Sequence, residues 1–313
     1  NNLIFKGEQY RDYNGITTRY KGRNITFASN ARIIVDANVD GVILRGSGST
    51  IDNMIIDTTL VIETYTSSAF KVEAIGSYDE CVEANLINNL KVIQPFSYYK
   101  GTAIELVTGG DSYIYRNKFT NIDISGHYYG IKFSNDSYNG INANMFSGSI
   151  WASRQAMNID GGGNIFNFNI QNTLIDTENP EMANIYCNGD HNQFLGFSYD
   201  IGGEGLVKYA YEFGERGFNN TVIAYYPEQL IKGAELNRNF IQRIGSPEDV
   251  QLVMENLPNG RPFQDFRYEG GTLIPSKDFR MISGLSNSLG RAHEIIDSID
   301  VVTENVTLSG LGY

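Results

Sequence analysis

The chain is poor in the residues that make a disulfide scaffold, a helical bundle, a nucleic-acid binder or a membrane protein. Only two cysteines, Cys81 and Cys187, occur in 313 residues. Two thiols cannot build a disulfide framework, and both sit among apolar or small residues, as buried free cysteines do. Proline is scarce, with 7 residues, and charged residues make up only 19%, a balance that disfavours amphipathic helices. Lys and Arg number 24 against 36 Asp and Glu, a formal net charge of −12. That argues against the basic stripe needed to displace counterions from phosphates, so no nucleic-acid partner is expected, and a polyanionic partner would need a local exception or a bridging metal. No apolar run approaches the roughly 18 residues of a membrane helix, so no membrane insertion is expected. The chain opens at Asn1-Asn2-Leu3, without an initiator Met, a basic region or a signal-like apolar block. A processed or excised segment is expected to begin this way.

What is abundant is glycine (33), tyrosine (20) and phenylalanine (17), the composition of many short strands joined by glycine turns. From Gly22 to Ile62 short apolar bursts, such as Ile33-Ile34-Val35 and Val42-Ile43-Leu44, are punctuated by Asn, Asp and Gly. They read as strands of about four residues.

A repeat organises the rest. An asparagine followed two positions later by an apolar residue recurs at Asn117, Asn144, Asn164, Asn192, Asn220 and Asn239, at intervals of 27, 20, 28, 28 and 19 residues. These intervals fall in or close to the range of stacked-repeat proteins. Asn53 and Asn88 extend the pattern towards the N-terminus. A second register alternates in-out-in at Phe70-Lys71-Val72, Ile104-Glu105-Leu106, Ile131-Lys132-Phe133, Met157-Asn158-Ile159, Ile185-Tyr186-Cys187 and Val207-Lys208-Tyr209. Whole units therefore repeat. Each reads as a strand, a turn, an Asn-led strand, and a third short segment such as Ile122-Asp123-Ile124 or Leu174-Ile175-Asp176. Such units cannot bury their apolar face alone, so they must stack and pair in parallel with their neighbours. Asparagine suits the turns because it tolerates left-handed backbone geometry, and stacked Asn side chains can bond from unit to unit.

Asp160-Gly161-Gly162-Gly163-Asn164-Ile165-Phe166, set in this ladder of units, resembles the right-handed parallel β-helix of phage tailspikes and related pectate-lyase-like proteins. The resemblance implies an all-β fold, a right-handed parallel β-helix (solenoid) with a small mixed C-terminal region, assembled as a homotrimer. It implies a place in the virion tail beside other tail proteins, with a secreted protein as the alternative. It also implies a partner, a bacterial surface polysaccharide, that the protein binds and depolymerises. Residues 1–20 then form a lead-in, 21–245 the β-helix, and 246–313 a capping or oligomerisation region. In that last part Ser246-Pro247-Glu248-Asp249, followed by Val250, Val253, Met254 and Leu257, predicts a helix, and a second short helix is expected from Ala292 to Ile299.

The outward column of the second register, Lys71, Glu105, Lys132, Asn158, Tyr186 and Lys208, predicts a salt-bridge ladder, or alternatively a binding rim. The third segments carry a richer set. Asp123 comes with His127, Tyr128 and Tyr129, the single Trp151 with Arg154, Asp176 with Glu178, and Asp200 with Glu204. Aromatic faces to stack on sugar rings, with carboxylates on successive units, are the ingredients of a carbohydrate groove. Glycoside hydrolysis needs two carboxyl groups about 5 to 9.5 Å apart, which stacked units supply. Asp176, Glu178 and Asp200 are the catalytic candidates, because the loop Asp176 to Glu181 interrupts the turn pattern and carries extra acid. Trp151, Arg154, Glu204, Asp123, His127, Tyr128 and Tyr129 are the substrate-binding candidates.

Two alternatives stand beside hydrolysis. One is a non-enzymatic glycan-binding receptor (adhesin). The other is a polysaccharide lyase, with Arg154, His127 or Lys132 as base or carboxylate neutraliser. Asp190-His191 sits where Gly162-Gly163 lies one unit earlier and reads as a turn. The three histidines, His127, His191 and His293, are isolated, so neither a metal site nor a cofactor is expected, with a structural divalent cation left open.

Overall fold

The computed structural model describes residues 24–243 apart from 29–30, 62, 78–79, 96–97, 136–139, 172, 200–203, 226–229 and 234–238, together with strands at 2–3, 251–252, 266–269, 272–275, 294–300 and 305–310. The protein is all-β. Apart from a 3-10 turn at Thr59–Val61, the elements among the described residues are strands, and no helix is long and apolar enough to cross a membrane.

Three sheets of parallel strands wrap one core, an arrangement consistent with a β-helix. We call them sheets I, II and III. In three consecutive units the chain visits sheet II (for example Tyr129–Asn135), the three-stranded sheet III (Ile141–Asn142) and sheet I (Met145–Trp151) before returning to sheet II, here at Gln155–Ile159; among the described residues, later units pass from sheet II to sheet I without a sheet III strand. The strand Asn2–Leu3 pairs in parallel with Arg32–Ile33, so sheet I takes up residues from the expected lead-in. Pairing in sheet I stays parallel to Phe240–Arg243 and turns antiparallel at Gln242↔Leu252.

The counted intervals are the structural register. Ile104 lies opposite Ile131, Phe119 opposite Phe146, Met157 opposite Ile185 and Phe166 opposite Phe194. Phe119, Phe146, Phe166 and Phe194 form one buried stack, with successive centroids 4.6, 5.2 and 5.1 Å apart and rings within 12° of parallel. The strand spacing of about 4.8 Å places identical rings at stacking distance.

A buried asparagine ladder runs beside that stack. The backbone N–H of Asn85, Asn117, Asn144, Asn164, Asn192 and Asn220 each donates to the side-chain oxygen of the next member, ending at Asn239, over 2.8 to 3.0 Å. Most members also donate a side-chain N–H to the same oxygen. Two sequence expectations are corrected here. The ladder's first member is Asn85, not Asn88 or Asn53. The left-handed backbone falls on the residue before the ladder asparagines from Asn85 to Asn220, at Ala84, Arg116, Ala143, Gly163, His191 and Asn219. The asparagine is needed for its amide, which satisfies buried turn groups that no sheet partner reaches.

Asn53 and Asn89 belong instead to a second, outer ladder with Asn121. All three adopt positive φ at a corner within sheet I, and their side chains bond in sequence. One unit later Gly148 takes the corner, at φ 152°, where a Cβ would stand 2.0 Å from the Ile122 carbonyl oxygen. No other residue fits there.

The last member of the second register is also corrected. Ile185 lies opposite Tyr211 and Tyr186 opposite Glu212, so Val207 and Lys208 precede the strand. Val207 N–H donates instead to the Thr173 carbonyl, and Leu174 bridges Leu206. In the C-terminal region Glu294–Asp300 is a strand paired with Asn305–Gly310, not a helix. The β-branched Ile295, Ile296 and Ile299 fit a pleated surface better than a helix. Gln251–Leu252 is likewise a strand, and the rest of the helix expected from Ser246 to Leu257 lies outside the described residues.

Candidate functional site

Several of the candidate residues lie at the turns from sheet I to sheet II. Short turns, closed by left-handed Gly126 and Ala152, carry His127-Tyr128 and Ser153-Arg154. One unit further on, the turn lengthens into the segment Thr173–Met182. Leu174 N–H donates to the Ser153 carbonyl and Ile175 N–H to the Gly205 carbonyl, both within 2.9 Å. Asn179 N–H bonds to Asp176 O and Met182 N–H to Asn179 O, each at 3.1 Å. This loop is therefore two consecutive tight turns, with Asp176 and Glu181 near its ends.

Asp176 is the centre of the cluster. The Tyr128 hydroxyl donates to Asp176 Oδ2, and Glu178 N–H donates to Asp176 Oδ1 at 3.0 Å. The Tyr128 bond above all, then the Glu178 N–H and the Arg154 charge, hold the Asp176 carboxyl below the usual carboxylate range. The same contact acts in reverse on the phenol: burial first, then Asp176, pushes the Tyr128 hydroxyl up. Arg154 donates to the Ile175 carbonyl, and its guanidinium lies 4.7 Å from the Tyr99 ring centre. The Tyr128 and Tyr129 rings meet edge to face at 4.7 Å, and Lys132 lies 5.3 Å from the Tyr129 ring centre. Tyr99, Tyr128, Tyr129, Arg154, Asp176 and Glu178 are thus brought together, held by aromatic, cation–π and charge-assisted contacts.

The other candidates fall elsewhere. His127 is fully buried, with one ring nitrogen 2.9 Å from Ser125 O and the other 3.3 Å from Thr58 Oγ1. Burial lowers its pKa to about 4. A neutral core imidazole cannot touch a ligand, which removes it both as a binding residue and as a lyase base. Ile122-Asp123-Ile124 is not a separate segment but the end of the sheet I strand Lys118–Ser125. Asp123 consequently faces outward from that sheet, paired with Lys91 at 3.0 Å and bonded by Ser149. Trp151 stands exposed on the same sheet, in register with Ser125 and Gln171 rather than with Asp176. Glu204 is exposed in the turn whose Gly205 carbonyl receives Ile175 N–H. Asp200 lies outside the described residues.

The expected charged ladder on sheet II exists. Lys71 contacts Asp40 at 2.6 Å and Glu105 at 3.8 Å, and Lys132 contacts Glu105 at 3.7 Å. Hydroxyls of Ser68 and Ser134 also donate to Glu105, so the network is satisfied internally.

Two clusters escaped sequence reasoning. At the turn from sheet II to sheet III, Arg216 grips both oxygens of Asp160, at 2.9 and 2.6 Å, while its backbone N–H bonds to the Asn188 side chain. The three residues recur every 28 positions, which was the available signal. Burial pushes the Asp160 carboxyl up and Arg216 opposes it, as fits a brace clamping three units. The second cluster gathers Glu181, Lys208, Tyr209 and Lys232. Lys208 and Lys232 lie over the Tyr209 ring at 5.0 and 4.0 Å from its centre and approach the Glu181 carboxylate at 3.9 and 3.7 Å. Its residues come from three successive units, so only the correct register could have joined them.

Among the described residues, no group of three or more His, Cys, Asp or Glu is placed to hold a metal ion. Comparison with protein-family models, curated protein sequences and solved structures gave no significant match.

Proposed function

We propose that this chain is a right-handed parallel β-helix of the tailspike type that binds a bacterial surface polysaccharide and depolymerises it by glycoside hydrolysis. The observation that carries the reading is the Asp176 carboxylate, kept ionised by the Tyr128 hydroxyl within a cluster of three tyrosines and Arg154. Tyrosine faces at a turn edge offer flat, amphipathic surfaces for sugar rings. An ionised carboxylate among them serves as the nucleophile of a retaining hydrolase or the base of an inverting one. Glu178, two residues on, and Glu204, on the turn bonded to Ile175, are the carboxyl groups that would protonate the leaving oxygen. In this mechanism Tyr128 is a positioning residue. It orients Asp176 and keeps it charged at the moment charge develops on the sugar.

A homotrimer set in a virion tail belongs to the same proposal. Exposed Leu86, Met145 and Phe197 on the outward face of sheet I support an interface between copies.

One observation favours a second reading, a glycan receptor without catalysis. Glu178 and Glu204 are both exposed, whereas an acid that must stay protonated near neutral pH is usually sheltered from water. Incubation with capsule and cell-wall polymer preparations, followed by mass spectrometry of the products, separates the readings. Hydrolysis gives new saturated reducing ends, a lyase gives unsaturated ends, and a receptor gives bound but intact polymer.

A further inference from the structure

The Glu181 cluster has the form of a ligand site filled by the protein's own side chain. Tyr209 begins its sheet II strand three units beyond Tyr129, through Gln155 and Ala183. At about 4.8 Å per unit the two tyrosines are separated by about 14 Å along the same edge. Lys208 and Lys232 each lie over the Tyr209 ring, 5.0 and 4.0 Å from its centre. Facing them is the Glu181 carboxylate, with 57% of its side chain exposed. Lys232 also donates to the Glu181 carbonyl oxygen. The Tyr209 hydroxyl is the strongest influence holding the Glu181 carboxyl below its usual range, ahead of the two lysines. Two cations, at 3.7 and 3.9 Å, and a phenol thus converge on one exposed carboxylate, and both ion pairs are longer than a charge-assisted hydrogen bond. Pairs this exposed are worth little and exchange readily with solvent or a competing anion.

We infer that Lys208, Tyr209 and Lys232 form a subsite for the carboxylate of an acidic sugar, with Glu181 occupying it until a ligand carboxylate displaces it. The inference rests on the glycan-binding reading and narrows it: the polymer carries carboxylated residues and lies along the edge joining Tyr99, Tyr129 and Tyr209. The Tyr209 ring holds the two ammonium groups in place, and the lysines and the Tyr209 hydroxyl take the sugar carboxylate. Glu181 shares its short loop with Asp176, so the subsite and the cluster around Asp176 are fixed relative to each other. An acidic residue held at one end sets which linkage lies over the other.

The test is retention on a glycan panel, one half bearing uronate, sialate or pyruvyl groups and the other half neutral, at low and at 0.3 M salt. The wild type is compared with Glu181→Gln, Lys232→Gln and Tyr209→Phe, each first checked for an unchanged denaturation midpoint. Carboxylated glycans should be retained preferentially, and less so at the higher salt. Glu181→Gln, which removes the internal competitor, should tighten that binding about threefold, and Lys232→Gln should weaken it about threefold. Neither should alter retention of neutral glycans. Equal retention of both halves, or weaker carboxylate binding in Glu181→Gln, overturns the subsite. Retention of neutral glycans alone overturns it while leaving the glycan-binding reading intact, and retention of none overturns both.

Discussion

The Tyr128 hydroxyl donates a hydrogen bond to the Asp176 carboxylate across 48 residues of chain, joining two turns at one edge of the stacked sheets. Tyr128→Phe removes that donor and little else. Without it the Asp176 pKa should rise towards the ordinary aspartate value, because its largest stabilising influence is gone. The sign for stability follows from the depressed pKa: the contribution is present above the unfolded value near 4 and disappears as pH falls through the folded value. Urea titrations between pH 5 and 2 should show a shallower loss of stability in Tyr128→Phe than in the wild type.

His127 makes a separate pH prediction. Its folded pKa of about 4 lies below the unfolded value of 6.5, so between them the unfolded chain binds more protons than the folded one. Stability from this residue is complete above pH 6.5 and is lost as pH falls to 4, by roughly 3 kcal/mol over that window at about 1.4 kcal/mol per pH unit. Denaturation midpoints of the wild type should fall over that range, and His127→Gln, with no proton to take up, should flatten the dependence.

The asparagine ladder predicts a cost larger than one side chain. In Asn164→Ala the backbone N–H and side-chain N–H of Asn144 both lose their acceptor, and the Asn192 side-chain oxygen loses the Asn164 side-chain donor while keeping the backbone one. Because these groups are fully buried, the substitution should cost about 2 to 4 kcal/mol, read as a lowered midpoint at unchanged slope. Asn167→Ala, an exposed neighbour on the same strand, should stay within about 0.5 kcal/mol.

The phenylalanine stack is the apolar counterpart. Phe166 packs between Phe146 and Phe194 at 5.2 and 5.1 Å. Phe166→Ala should therefore destabilise by about 3 to 5 kcal/mol, with Phe166→Leu nearer 1. Thermal or urea unfolding of both variants checks the ratio.

How far the sequence could be read depended on whether a feature repeats. Phe119, Phe146, Phe166 and Phe194 share one spacing with their strands, so their stacking was legible as a counted interval. The same counting misplaced Asn88. Three asparagines, Asn85, Asn88 and Asn89, lie within five residues, and only the buried bonding pattern says that Asn85 carries the ladder. Register was legible until an insertion broke it. The antiparallel contact between Leu174 and Leu206 delays the next strand to Tyr209, and every column drawn through Val207 and Lys208 shifted with it. The candidate site suffered most, because it is built where the repeat stops. Tyr128 and Asp176 belong to turns of unequal length, and no period relates them. Asp123 and Trp151 were grouped with that site by counting units, whereas the continuous strands Lys118–Ser125 and Met145–Trp151 carry them onto sheet I. His127 looked like a surface histidine beside two tyrosines; its burial follows from the left-handed turn at Gly126, which no sequence pattern specified.

The most direct test of the functional account compares the wild type with Asp176→Asn on the polysaccharide that the wild type binds, scoring new reducing ends and retained binding together. Asparagine keeps the size of the side chain and still accepts the Tyr128 hydrogen bond, but cannot act as nucleophile or base. The account predicts that release of reducing ends falls by at least about 100-fold, within the range expected for loss of an acid–base or nucleophilic group, while the polymer is still bound. Undiminished release of reducing ends by Asp176→Asn would contradict it.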